Sequence, residues 1–265
     1  MPQLSIEGVS LRFGGVAALS DVSLAVEAGQ LAALIGPNGA GKTSLVNCIS
    51  GVYRPQTGAI RFEGKEITAL RPAERTRLGL ARTFQNIALF RGMSVLDNLL
   101  IGRHSKQDTG LFAGGLFYGP GQREEIAQRR IVEDIIDFLE IEHVRKAIVH
   151  TLPYGLQKRV ELARALALEP KLLLLDEPMA GMTAEEKEDM ARFILEINEE
   201  RGTSVLMIEH DMAVVMELSQ KVVVLNFGQK IADGTPDQVR GSAAVQQAYL
   251  GAASTAAPAT SAEAG

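Results

Sequence analysis

One cysteine in 265 residues, Cys48, excludes an internal disulfide. It falls on the apolar side of the segment that follows a glycine-rich loop, which assigns it to packing, because free cysteine is mostly buried. No apolar run reaches the length that spans a bilayer. Met1-Pro2-Gln3-Leu4-Ser5 carries no basic region leading into an apolar stretch, so no secretory signal is expected. Positive charge is also scarce: 27 Lys and Arg against 32 Asp and Glu leave a net charge of −5. That balance argues against a broad nucleic-acid surface and leaves room only for a local patch. No internal repeat is visible. These absences point to a cytoplasmic protein without a nucleic-acid partner, attached to a membrane, if at all, through another subunit.

What is present fits a globular chain. A hydrophobic content of 46% and a charged content of 22% are ordinary for that class. The length suffices for one domain with a subdomain.

The most informative stretch is Gly36-Pro37-Asn38-Gly39-Ala40-Gly41-Lys42-Thr43, which fits G-x-x-x-x-G-K-[ST] at every fixed position. Before it, Leu31–Ile35 is an apolar run of the kind that forms a buried strand. After it, Ser44–Ile49 reads as a short helix stopped near Gly51. Strand, glycine-rich turn and helix are the context this motif needs. Glycines let the backbone curl so that successive N–H groups point at a polyphosphate, and the helix N-terminus adds free donors and partial positive charge. Lys42 reaches the outer phosphates, Thr43 offers a hydroxyl to magnesium, and Ser44 belongs to the same phosphate-binding set. The chain is expected to bind a nucleoside triphosphate.

Around this loop the pattern is α/β. Residues 4–9, 22–26 and 59–63 alternate apolar and polar residues, predicting an antiparallel sheet beside the phosphate-loop strand. Pro72 opens a short helix to about Leu78, and Ala81–Phe84 reads as a strand ending at Gln85. Residues 104–121 interleave glycine with apolar residues, a long loop whose aromatics either pin it to its own domain or form a docking surface. A charged amphipathic helix follows over about 122–140, with Ile126, Ile131, Ile135, Ile136 and Leu139 on its apolar side. Met190, Phe193, Ile194 and Ile197 mark another, whose acidic start (Glu185, Glu186, Glu188) is a solvated, dipole-favoured first turn. Apolar strands at 171–175, 204–208 and 221–225 alternate with these helices, which predicts a mostly parallel core. From Ala252 to Gly265 the composition cannot bury enough to fold, and a disordered tail is expected.

Lys171–Leu175 runs straight into Asp176-Glu177-Pro178. Acids at the C-terminal end of a strand buried on both faces mark a site at the sheet edge, where α/β ligands bind. Asp176 suits magnesium in its outer shell, and Glu177 suits a base or orienter for an attacking water.

The acid pair with Pro178, the phosphate loop and a downstream histidine together resemble the ATPase subunit of ABC transporters, over essentially residues 4–250. The resemblance implies a P-loop NTPase core of the RecA type with an antiparallel β subdomain and a helical subdomain over about 91–165, in a domain of 1–251. It places Phe13 where an aromatic stacks on adenine, against a plain reading as core. It places Gln85 where a glutamine meets magnesium and the attacking water and senses the membrane partner, against a plain strand-end polar group. Met179–Thr183 falls in the loop that crosses to a second subunit. His210 takes the position of a histidine that clamps the γ-phosphate, against a reading as neighbour of a helix-capping Asp211.

One segment departs from the family. Its usual Leu-Ser-Gly-Gly-x-Gln stands here as Leu152-Pro153-Tyr154-Gly155-Leu156-Gln157. Pro153 removes the serine hydroxyl and an N–H, while Gly155, Gln157 and a helix from about Lys158 to Leu168 remain to face phosphate. A hydrogen bond to a charged group is worth about 1.5–3 kcal/mol, so pairing or turnover is weakened rather than abolished. Tyr154-Gly155, the ending Asp233-Gly234-Thr235-Pro236 with Ala248-Tyr249-Leu250-Gly251, and the loop at 104–121 are similar to the ATPases of branched-chain amino acid importers.

The resemblance thus implies an ATP- and magnesium-dependent energy-coupling subunit at the cytoplasmic face of the inner membrane. Its partners would be transmembrane permease subunits, a second ATPase subunit (identical or paralogous) and, indirectly, a solute-binding protein. Importers of urea, amides or another small solute are the alternative cargo class. A soluble ABC ATPase acting on ribosomes or DNA is disfavoured by the single cassette, the absence of a long coiled coil and the acidic charge.

Overall fold

The computed structural model describes residues 2–85, 87–103 and 120–255. Strands β1 (Leu4–Phe13), β2 (Val16–Val26), β4 (Thr57–Phe62) and β5 (Lys65–Glu66) form an antiparallel sheet in the order β2-β1-β4-β5. Strands β3 (Leu31–Ile35), β6 (Leu80–Arg82), β7 (Leu172–Asp176), β8 (Ser204–Ile208), β9 (Lys221–Asn226) and β10 (Gln229–Gly234) form the second sheet, ordered β10-β9-β3-β8-β7-β6. Every pair in it is parallel except the β9–β10 hairpin.

The apolar runs that predicted strands explain this sheet's two covered faces. Leu172 and Leu174 of β7 point into a core shared with β1, β2, β4 and helix α1 (Lys42–Ser50). Leu173 and Leu175 point the other way, into a core with helix α6 (Ala184–Glu199) and the helical layer. A strand buried on both sides has no solvent face on which to alternate, so it reads as continuous leucine. The helical layer consists of α3 (Val95–Arg103), α4 (Pro120–Phe138) and α5 (Tyr154–Leu166), packed on one another. A third cluster lies under α7 (Met212–Leu218), α8 (Pro236–Arg240) and α9 (Ala243–Thr255).

Helix α1 stops at Gly51, left-handed at φ 83°, as its glycine predicts. Helix α2 (Pro72–Leu78) starts on its proline. The acidic start of α6 is a capping box: the Thr183 hydroxyl accepts from Glu186 N while Glu186 accepts from Thr183 N.

Four expectations shift. The strand expected at 81–84 is β6, ending at Arg82, which leaves Gln85 on irregular backbone. Helix α4 buries Ile135 and Ile136 but leaves Ile126 48% exposed, so its apolar stripe is shorter than the sequence pattern. Helix α5 starts at Tyr154, four residues ahead of Lys158. Helix α9 runs to Thr255, past the expected start of a structureless tail at Ala252. Residues 256–265 of that tail and 104–119 of the long loop lie outside the described residues.

Cys48 is fully buried in α1, and burial pushes its thiol up to about 11. Because thiolate is the reactive form, a thiol reagent at pH 8 is expected to leave the native protein unlabelled and to label one site after denaturation. Rapid native labelling would contradict the packing assignment.

Candidate functional site

The phosphate loop spans the gap between β3 and α1 and is seated by close backbone packing. A Cβ on Gly36 would lie 2.1 Å from Leu225 O, and one on Gly41 2.6 Å from Ala18 O, so β9 and β2 leave room for glycine alone. Gly41, left-handed at φ 101°, is the N-cap of α1 and supplies no side-chain acceptor. The first N–H groups of α1 are thereby left for an anion. Lys42 folds back over the loop, its Nζ donating to Gly36 O at 2.6 Å and Pro37 O at 3.1 Å. Burial holds its ammonium below the usual lysine range, opposed by the charges of Glu177 and Asp176. Uncapped donors, a glycine cradle and a buried cation fit a polyphosphate.

The end of β7 faces that loop. Asp176 is 2% exposed and is held by Arg82, whose Nη2 lies 2.8 Å from Asp176 Oδ2. The next residue, Glu177, takes φ 49°, a left-handed conformation that a glutamate rarely adopts. Strain of this kind concentrates at functional sites. Gln85 Nε2 donates to Glu177 Oε2 at 2.9 Å, so two residues 92 apart in sequence meet.

Glu177 N donates to Ile208 O at 3.0 Å, which brings the ends of β7 and β8 together. His210 follows two residues later with its side chain 63% exposed. Its Nδ1 lies 3.8 Å from Glu209 Oε2, and among the described residues no hydrogen bond joins its ring to Glu177. Glu209 itself is 1% exposed and accepts from Met179 N at 3.2 Å and His210 N at 3.1 Å. It therefore ties the start of the Met179–Thr183 loop to the histidine.

Phe13 ends β1 with 48% exposure and makes a T-shaped contact with Tyr53, ring centroids 5.1 Å apart, which removes the plain core reading. Gly155 and Gln157 lie inside the first turn of α5, not ahead of it. Pro153 is the N-cap at φ −53°, where its missing N–H costs no bond of the helical ladder; the absent serine hydroxyl remains the true departure. A Cβ on Gly155 would fall 2.0 Å from Glu186 Oε1, so a larger residue there would displace the capping glutamate side chain of α6. Gln157 Nε2 donates locally to Leu152 O at 2.7 Å.

Comparison with known proteins gives the family of the chain. The ABC transporter family model matches residues 19–180, more than half of the chain. The chain belongs to the ABC transporter ATPase family. Within this cassette a second model, the branched-chain amino acid ATP-binding cassette transporter segment, matches residues 229–254, which cover β10, α8 and most of α9. The cassette is 42% identical over 95% of its length to the high-affinity branched-chain amino acid transport ATP-binding protein BraF of Pseudomonas aeruginosa, covering 99% of that protein. It is 40% identical, with the same coverage, to LivG of Escherichia coli, which carries the same description. Among solved structures, a nucleotide-free ATP-binding cassette from an ABC transporter superposes with a TM-score of 0.82 at 34% identity, covering 94% of this chain and 99% of that one. A cassette solved in its ADP conformation gives 0.82 at 33% identity, covering 95% and 99%.

Sequence reasoning missed Arg82, Glu209, Lys158 and Glu161. Each is a charged residue that the structure buries. Arg82 stands in a short strand whose neighbours Leu80 and Ala81 are apolar, and that break in the pattern was its available signal. Lys158 and Glu161 stood within an otherwise ordinary amphipathic helix and gave none.

Proposed function

We propose that this cassette is the ATP-hydrolysing, energy-coupling subunit of an importer for branched-chain amino acids. The observation that carries the reading is the meeting of Gln85 and Glu177 at the sheet edge that also presents the phosphate loop. In this reading Phe13 stacks on adenine, and Gly36, Pro37, Asn38, Gly39, Ala40, Gly41, Lys42, Thr43 and Ser44 hold the phosphates. Among the described residues no three His, Cys, Asp or Glu side chains converge as a metal site. Magnesium would instead be held by Thr43, Gln85 and, through water, Asp176, oxygen donors that suit a hard cation; it supplies charge neutralisation on the phosphates. Glu177 orients and deprotonates the attacking water, while Lys42 and His210 offset charge that develops on the transferred group.

One subunit offers the phosphate loop at the sheet edge and the Gly155–Gln157 turn on its helical layer, so the site is completed by a second subunit placed head to tail. Among the described residues no helix is long and apolar enough to cross a membrane. Attachment at the cytoplasmic face therefore runs through permease subunits, with a solute-binding protein acting indirectly. The segment similarity at 229–254 and the likeness to branched-chain amino acid transport ATP-binding proteins favour branched-chain amino acids over urea or amides. Deleting the gene is expected to abolish high-affinity uptake of labelled leucine, isoleucine and valine, with recovery on complementation. Intact leucine uptake beside lost urea uptake would overturn the cargo assignment.

A further inference from the structure

Phe84, Gln85, Ile87 and Ala88 lie between β6 and α3 without regular secondary structure, and Asn86 is outside the described residues. Backbone groups in such a segment need partners, and three charged side chains on one face of α5 provide them. Glu161 Oε1 accepts from Phe84 N at 3.2 Å and from Ala88 N at 3.4 Å. Lys158 Nζ donates to Gln85 O at 3.1 Å, and Arg164 donates to Ala88 O. Lys158 and Glu161, 3.9 Å apart, each have a side chain that is 2% exposed. Burial raises the Glu161 carboxyl above its ordinary range, opposed by the Phe84 N–H and the Lys158 charge.

Buried ion pairs of this kind are poor stabilisers, since apolar residues of similar volume serve as well or better. A helix that packs by its apolar stripe has no need of them for folding alone. Their contacts run to one place: the backbone on either side of the side chain that touches Glu177. The same helix begins at Tyr154, and Lys158 lies 5.9 Å over the Tyr154 ring.

We propose that Lys158 and Glu161 form a clamp that makes Gln85 move with α5, so that engagement of the α5 N-terminus by the second subunit's nucleotide is delivered to Glu177. They are positioning residues: neither meets substrate in this arrangement. The inference rests on the proposed function, because it takes Glu177 as the group that acts on water and the α5 N-terminus as a nucleotide contact.

The test uses the complete transporter reconstituted with its permease, comparing Glu161→Leu, Glu161→Gln and Lys158→Met. Glutamine keeps an acceptor oxygen for Phe84 N and Ala88 N; leucine keeps none. Glu161→Leu is expected to lower kcat about tenfold, the equivalent of one strong hydrogen bond, and to lose stimulation by the permease. Binding of a fluorescent ATP analogue stays within about twofold, since the phosphate loop is untouched and each tenfold in affinity needs about 1.4 kcal/mol. Glu161→Gln recovers most of the rate and the stimulation. If Glu161→Leu does not fold, Lys158→Met decides, with the same split between kcat and binding expected. Wild-type stimulation in the folded variant, or a Glu161→Gln defect as deep as that of leucine, overturns the clamp. A Glu177→Gln control in the same preparation separates the two readings. If it still hydrolyses ATP, the catalytic assignment fails; if it is inactive while Glu161→Leu behaves as wild type, only the clamp fails.

Discussion

Replacing Glu177 with glutamine is expected to slow ATP turnover by roughly 10²–10⁴-fold, the contribution of a positioned general base, while ATP binding persists. Glutamine is isosteric, and the local structure does not depend on the charge. Glu177 N would still donate to Ile208 O, and the substituted side chain keeps a carbonyl oxygen for Gln85 Nε2 in place of Oε2. The left-handed backbone at φ 49° is no worse for glutamine than for glutamate. What disappears is the capacity to accept a proton. Removing a negative charge near Lys42 also relieves repulsion toward the γ-phosphate, so ATP binding is expected to hold or tighten. Because the site is shared by two subunits in the proposed reading, a cycle stopped before hydrolysis should accumulate the paired state. Size-exclusion chromatography in magnesium and ATP should then show a dimer for Glu177→Gln and chiefly monomer for the parent. Hydrolysis at the parental rate would remove Glu177 from the mechanism.

Two parts of the site were legible in the sequence because their chemistry forces a local pattern. The phosphate loop needs glycines where backbone crowds backbone, as at Gly36 beside Leu225 O, and no other residue type can stand there. Asp176 and Glu177 are legible because charge directly after buried leucines has only one place to go, the end of the strand. The strand at 204–208 was placed to the residue for the same reason, since an apolar run inside a parallel sheet ends where burial ends.

The remainder depends on partners distant in sequence. Gln85 meets Glu177 across 92 positions, and Glu161 meets Phe84 across 77, separations that leave no periodic trace. Helix α5 starts at Tyr154 rather than near Lys158 because Pro153, as N-cap, lies outside the hydrogen-bonded ladder and its missing N–H removes no helical bond. Ile126 was assigned to an apolar face by spacing alone, yet a helix is buried only as far as its neighbours reach. In each case the local rule was sound and the tertiary environment decided the outcome.

The same distinction makes Arg82 a residue whose loss should be felt strongly in stability. Its side chain is 8% exposed and that of Asp176 3%, so Arg82→Met would strand a carboxylate in a low-dielectric setting. Removing one partner of a buried pair costs about 3–5 kcal/mol, far more than an exposed pair is worth. Arg82 Nη1 also donates to Asn47 Oδ1 at 2.6 Å and Ser50 Oγ at 3.0 Å, so the guanidinium joins the C-terminal turn of α1 to the end of β7. Arg82→Met is therefore expected to lower Tm on the order of 10 °C, at about 2–4 °C per kcal/mol for a chain of this size. The second substitution Asp176→Asn removes the stranded charge and should restore part of that loss, giving a coupling between the two sites that independent residues would not show. Nucleotide with magnesium sharpens the test. If Asp176 serves the cation through water, the stranded carboxylate of Arg82→Met regains a positive neighbour when magnesium and ATP bind. Ligand that binds only the folded state stabilises it, so the thermal shift produced by magnesium with ATP should be larger in Arg82→Met than in the parent, and smaller again once Asp176 is asparagine. A parental Tm for Arg82→Met, or equal ligand shifts in all three proteins, would show that Arg82 does not govern the charge of Asp176.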